Sequence, residues 1–200
     1  DSAQVKGTLT IPENAVAQYV SVDGDMQTIR ETLTEIRLLS NEICEGMGAE
    51  RDKLFAISCW VSENIYYDYD AFNTSVTQET ISLRHTLDTK RTVCMGYANL
   101  CAALCGAQGI DCRVVHGQAL PVGSFSDEEY HAEQHEWNIA VLDDGTVWMD
   151  TLWDTTNAYR DGEYINGTQE YRYFDISDED IAKNHRAERI ESRDYFSLLD

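Results

Sequence analysis

The chain has 200 residues, of which 36 are Asp or Glu and 15 are Lys or Arg, for a formal charge of −21. That length suits one domain, or one domain with short extensions, and 42 % apolar residues are enough for a core, which excludes a disordered acidic tail. The acidic balance argues against nucleic acid and against an anionic membrane surface, since both need clustered Lys and Arg; no apolar run reaches the roughly 18 residues of a spanning helix, so no membrane insertion is expected.

In chain order, Val5 to Ile11 and Ala17 to Val22 read as short β-like pieces. Met26, Ile29, Leu33, Ile36, Leu39 and Ile43 recur at helical spacing, and that helix should end near Gly46-Met47-Gly48. Leu54, Ile57, Val61 and Ile65 predict a second helix that runs into the aromatic stretch Tyr66-Tyr67-Asp68-Tyr69. Residues 70–83 are polar and read as a loop. Cys94, Tyr97, Ala98, Cys101, Leu104 and Cys105 make a compact helix face of small and apolar residues, suited to close packing on a sheet. Ile110 to Gly117 reads as a strand, and residues 123–133 as a charged loop. His135 to Leu142 and Val147 to Thr151 form a hairpin around Asp143-Asp144-Gly145. Tyr171 to Ile176 is a further strand, and Ser177 starts a short helix with three acids in its first turn. Helices followed by an antiparallel meander make an α+β domain.

Six cysteines stand at Cys44, Cys59, Cys94, Cys101, Cys105 and Cys112, with no C-x-x-C and no zinc-type spacing. An even count permits disulfides in a secreted protein. Cys101 and Cys105 share a helix face and do not bridge easily; Cys105 and Cys112, flanking a turn, are the more plausible pair. The acidic runs Asp143-Asp144 and Asp175 to Asp180 lack EF-hand spacing and read as solvated turns and a helix cap. No metal or other cofactor is expected.

Cys94 begins its helix just after Lys90 and Arg91. A helix N-terminus and nearby cations both favour the thiolate, which is the nucleophilic form. A buried structural cysteine is the plainer alternative. A cysteine nucleophile needs a base, and the base needs an orienting partner. With a two-residue turn at Asp143-Asp144, Asp150 lies opposite Trp137 and diagonal to His135, about 7 Å away on the same face. A turn at Asp144-Gly145 would carry it farther off. Taken singly, His135 reads as an exposed strand histidine and Asp150 as a strand-end residue; together with Cys94 they outline a nucleophile, a base and an orienting acid.

These segments resemble a known family. Arg91-Thr92-Val93-Cys94-Met95-Gly96-Tyr97-Ala98 is similar to the nucleophile segment of transglutaminase-like domains, V-C-x-G-Y-A. Gly109 to Gly117 resembles the strand that follows, His135-Glu136-Trp137-Asn138 the H-x-W-N motif, and Trp148 to Trp153 the W-x-x-D-x-x-W segment, here with Asp150 two residues after Trp148. Trp60 and Asn64 to Asp68 resemble the preceding helix and its exit, and Tyr173-Phe174 with Ser177-Asp178 the closing strand of bacterial members. The resemblance covers roughly residues 50–185. Thr151 stands where proline is common.

The resemblance implies a papain-like α+β core in residues 51–200, with helices packed on an antiparallel sheet and the nucleophile at a helix N-terminus. Residues 1–50 would be an extension of short strands and a helix packed on that core. It implies Cys94 as nucleophile, His135 as general base and acid, and Asp150 as the orienting residue. His131 and Asp154 are the rival histidine and carboxylate. The backbone N–H of Cys94 would contribute to an oxyanion hole, with Tyr67 as a second donor. The implied activity is acyl transfer through a thioester on a protein or peptide substrate. Hydrolysis, as in a peptidase, leads; protein cross-linking, a non-catalytic surface-binding module and a glycan-releasing amidase are the alternatives. The loop 118–134 should carry substrate choice. The cysteines, the acidity and a first residue other than Met suggest an extracellular or cell-surface bacterial protein.

Overall fold

A computed structural model describes residues 7–121 and 131–199. The chain opens with β1 (Thr8–Thr10), α1 (Glu13–Val20), α2 (Met26–Ile43) and α3 (Glu50–Asn64). The predicted periodicity of α2 buries Ile29, Leu33 and Ile36, and the Asp25 carboxylate caps the helix by accepting the Thr28 amide. Next come β2 (Tyr66–Asp68), α4 (Tyr69–Thr74), α5 (Leu83–Thr89), β3 (Arg91–Thr92) and α6 (Cys94–Ala107). The remainder is β4 (Asp111–Ala119), β5 (Glu133–Leu142), β6 (Gly145–Met149), β7 (Ala158–Arg160), β8 (Glu163–Ile165), β9 (Phe174–Ile176), α7 (Asp178–Ile181), β10 (His185–Ser192) and a 3-10 turn over Phe196–Leu199. No helix among the described residues is long and apolar enough to cross a membrane.

The expected meander is present. β4, β5 and β6 pair antiparallel inside a six-stranded sheet of order β1-β10-β4-β5-β6-β9, in which β1 joins β10 in parallel. The hairpin turns at Asp143-Asp144, with Leu142 opposite Gly145 and Asn138 opposite Met149. That is the earlier of the two registers, the one that carries Asp150 towards Trp137 and His135. A second sheet of order β3-β2-β7-β8, largely parallel, has no counterpart in the expected topology. Its strands are too short to show a period.

Several local expectations are corrected. Ala17 to Val20 is the end of α1, because Val16 and Val20, four apart, both drop into the core. The stretch expected as a loop holds α4, capped by Asp68 accepting the Ala71 amide, and ends on the start of α5. The strand expected over Tyr171 to Ile176 begins only at Phe174; Tyr171, at φ 49°, breaks the extended backbone. Val5 and Lys6 and the charged loop over 122–130 lie outside the described residues.

Helix α6 is the centre of the molecule. Gly96 to Cys105 are all buried. The helix packs on β4 and β5, and against α2 and α3, within one continuous apolar cluster. Where α6 leaves β3 only Gly96 fits: a Cβ there would lie 1.8 Å from Thr92 Oγ1, a hydroxyl already committed to the Thr80 carbonyl. Gly117 does the same for β4, where a Cβ would meet the Arg186 carbonyl at 2.1 Å. Asn138 ties β5 to the helix by donating to the Ala98 and Arg113 carbonyls.

All six cysteines are free, so the Cys105–Cys112 pairing is not formed. Cys101 and Cys105 both face β4, and Cys112 meets the two together; the three sulfurs lie within 4.8 Å of one another as buried thiols. Cys44 is buried and Cys59 half-buried elsewhere.

Candidate active site

Cys94 opens α6 behind Val93, whose side chain makes no capping bond, so the helix presents its first-turn amides beside the thiol. Cys94, His135 and Tyr67 line one cleft of about 630 Å³. Its walls are aromatic, with Tyr69, Phe72, Trp153 and Tyr173 around these three residues. His131 is exposed, whereas His135 is 6 % exposed.

Asp150 lies just past the end of β6, 1 % exposed. Its Oδ2 is 2.6 Å from His135 Nε2, and its Oδ1 accepts the amides of Leu152 and Trp153. Burial opposes the charge on this carboxylate, but the charge and hydrogen bond of His135, reinforced by His185, hold it well below the usual carboxylate range. His185 Nε2 reaches the same Oδ2 at 3.0 Å. Burial pushes His185 below the ordinary histidine value, against the pull of Asp150. The rings of Trp137 and Trp153 pack on His135 at centroid distances of 5.9 and 5.4 Å, and Trp153 also packs on His185 at 4.4 Å. The tryptophans therefore brace both imidazoles.

Asp154, the rival carboxylate, does not join this group. Its Oδ1 accepts the Tyr173 amide, while its buried Oδ2 has no partner among the described residues. Burial, aided by the neighbouring Asp150 charge, raises its carboxyl to about 7. An acid with one orphaned oxygen is stabilised as its neutral form.

The cations expected beside the thiol are used elsewhere. Lys90 turns its ammonium over the Trp60 ring, and burial lowers its pKa. Arg91 stacks on Tyr159 at 3.9 Å and pairs with Asp68 at 3.4 Å. Instead, the Cys94 thiol donates to Glu136 Oε2 at 2.9 Å. Burial first, and the Glu136 carboxylate next, push the thiol well above its ordinary value; the backbone amides of Glu136 and Met95 oppose this. Tyr67 is raised by burial and by the nearby Cys94.

Sequence reasoning missed Glu136 and His185. Glu136 is the variable position inside H-x-W-N. His185 lies on β10, a strand outside every motif considered. Two groups among the described residues could offer three ligand atoms to a metal, Cys101/Cys105/Cys112 and His135/Asp150/His185. In the second, Asp150 Oδ2 is already shared by both imidazoles. Of the acidic runs, Asp144 and Asp175 are bridged by Arg51.

A family model described as the transglutaminase-like superfamily matches residues 37–151. Kyphoscoliosis peptidase of Mus musculus is 26 % identical over 137 residues, 66 % of this chain and 20 % of the relative. Its Homo sapiens counterpart is 25 % identical over 116 residues, 58 % of this chain and 17 % of the relative. The chain thus spans about a fifth of the length of these relatives. The crystal structure of a TGase superposes with a TM-score of 0.50 at 18 % identity, covering 70 % of this chain and 36 % of the other.

Proposed function

The chain belongs to the transglutaminase-like superfamily, and on that footing we propose that it catalyses cysteine-dependent acyl transfer on protein or peptide amides, with water as the principal acceptor. The observation that carries the reading is the buried His135–Asp150 pair at 2.6 Å, opening on the cleft that Cys94 lines. Because Nε2 of His135 is engaged with Asp150, Nδ1 is the nitrogen left to take the thiol proton. The Cys94 sulfur then attacks the amide carbon, and the oxygen takes up the negative charge. The backbone N–H of Cys94 and the hydroxyl of Tyr67 are the donors suited to that oxygen. The hydroxyl has no hydrogen-bond partner among the described residues. The His135 imidazolium gives its proton to the departing amine, leaving a thioester on Cys94. His135 next takes a proton from water, whose oxygen displaces the sulfur; the acid product leaves and the thiol is restored.

A lysine amine in place of water would make a cross-linking enzyme with the same residues. The name of the relatives, peptidase, favours hydrolysis. The test is a peptide-library release assay with and without a labelled primary amine. Cleavage that needs Cys94 and His135 is the expected result. Amine incorporation without cleavage would replace hydrolysis by transamidation, and no reaction of either kind, with Cys94 no more reactive than a denatured-state cysteine, would leave a binding module.

A further inference from the structure

The hydrogen bond of the proposed nucleophile runs not to the proposed base but to the residue beside it. His135 and Glu136 are neighbours on β5, so their side chains leave opposite faces of the strand. Cys94 at the head of α6 meets the Glu136 side. Glu136 is held there in turn. His116 on β4 stands opposite it, Nδ1 at 3.6 Å from Glu136 Oε1. The other nitrogen of His116 is 3.2 Å from Glu191 Oε2 on β10. Glu191 is bound by Arg193 at 2.7 Å and by Arg189 at 2.9 Å. Arg193, itself buried, closes the circuit on α6, donating to Asn99 Oδ1 at 3.0 Å and to Met95 Sδ at 3.7 Å. Three strands and the first turn of the nucleophile helix thus fix one carboxylate against one sulfur.

A carboxylate has two consequences at that place. It accepts the S–H bond, so the thiol proton is committed to Glu136 rather than to the imidazole of His135, which lines the same cleft. It also opposes formation of a second negative charge 2.9 Å away. The other titratable groups that line the cleft with Cys94 are Tyr67 on β2 and, on β5, Glu133 and His135, with Tyr69 and Tyr173 on its walls. We propose that Glu136 is a positioning residue that holds Cys94 as a neutral thiol in the resting protein, so that the nucleophile is released to His135 only when a substrate in the cleft draws the sulfur away from the carboxylate. The burial-driven rise of the thiol agrees with this arrangement, as does Glu136, for which the bonds from His116 and Cys94 outweigh burial and keep the carboxyl below its ordinary value.

The inference rests on Cys94 being the nucleophile, but its test does not need a substrate. The alkylation rate of Cys94 by iodoacetamide is followed by peptide mass spectrometry from near neutrality to the most alkaline pH at which the full chain stays folded, a midpoint beyond that limit being read as a lower bound. In Glu136→Gln and Glu136→Ala the midpoint should move to lower pH by a unit or more. A one-unit fall raises the thiolate fraction about tenfold while intrinsic nucleophilicity drops about threefold, so the rate near neutrality should rise about threefold. Using two variants separates the lost charge from any fault particular to one side chain, and urea denaturation of each checks that it folds. A midpoint in either folded variant that is unchanged or higher overturns the proposal. His135→Ala in the same assay addresses the other premise: if it leaves Cys94 reactivity unchanged in the Glu136→Gln background, the reading of His135 as base fails, whatever Glu136 does.

Discussion

The sharpest perturbation of this site is Asp150→Asn, because the replacement keeps the shape and removes the charge. Asp150 accepts four hydrogen bonds, from two imidazole nitrogens at Oδ2 and two backbone amides at Oδ1. An asparagine can keep only one of these pairs. If its oxygen stays with the Leu152 and Trp153 amides, its NH2 group faces both Nε2 atoms, and each imidazole must offer a lone pair there. His135 then carries its proton on Nδ1, where it cannot accept one from Cys94. In a hydrolase whose carboxylate orients the base, the wrong tautomer costs roughly 10³–10⁴ in turnover. Stability should also fall. Hydrogen bonds to charged groups contribute about 1.5–3 kcal/mol each; with the amide pair retained as neutral bonds, we expect a net loss of roughly 2–4 kcal/mol at pH 7. The sign with pH follows from the depressed native pKa. The stabilisation is complete above the unfolded-state value of about 3.9 and is lost as pH falls through the lower native one. Urea denaturation at pH 7 and at pH 3, with peptide-release rates at pH 7, therefore makes the test. The gap between wild type and variant should narrow in acid. Turnover within tenfold of wild type, or an unchanged midpoint in urea at pH 7, would refute the reasoning.

Asp154, raised to about 7 in the native state, works in the opposite direction. The folded protein holds that proton while the unfolded chain has released it, so stability should fall by about 1.4 kcal/mol per pH unit between roughly pH 4 and 7. Asp154→Asn should flatten that decline in denaturation curves, and an unaltered slope would contradict it. Gly96→Ala drives a methyl into Thr92, whose hydroxyl is fixed on the Thr80 carbonyl. A loss of about 1–3 kcal/mol is expected from this overpacking, with slower Cys94 chemistry because the head of α6 must shift; a midpoint in urea matching wild type would argue that the first turn is loose. Tyr67→Phe should leave Cys94 alkylation at pH 7 within about twofold, since alkylation builds no oxyanion, and lower peptide turnover about 10²–10³-fold. Equal turnover would remove Tyr67 from the proposed donors.

The parts of this architecture that were legible beforehand are those written in short-range pattern. α2 declares itself through apolar residues at helical spacing, with Asp25 at its cap. The start of α6 at Cys94 and the Asp143-Asp144 turn are equally local. That turn sets the register of β5 against β6, and the register brings Asp150 towards His135; two motifs 15 residues apart suffice for that contact. The misreadings have a common cause. Ala17 to Val22 has the look of a short strand taken alone, but Val16 and Val20, four apart, enter the core together and make its first half helical. Lys90 and Arg91 precede Cys94 along the chain, yet Trp60, Tyr159 and Asp68 take them up. Proximity along the chain did not determine where long, flexible cations place their charge.

Sequence alone therefore determined the helix that presents Cys94, a hairpin with two candidate registers of which one brings Asp150 towards His135, and the α+β class, since each depends on periodicity, turns and neighbouring residues. Only tertiary structure decided what surrounds the sulfur. Strand β10 inserts beside β4 and brings His185 to Asp150 and Glu191 to His116, contacts spanning 35 and 75 positions for which no short pattern exists. The pleat of β5 then separates Glu136 from His135 across the strand, and the packing of α6 determines which of the two meets the thiol. The charge of −21 carries no information about any of this. Glu136 stands against the sulfur because three strands and a buried arginine hold it there.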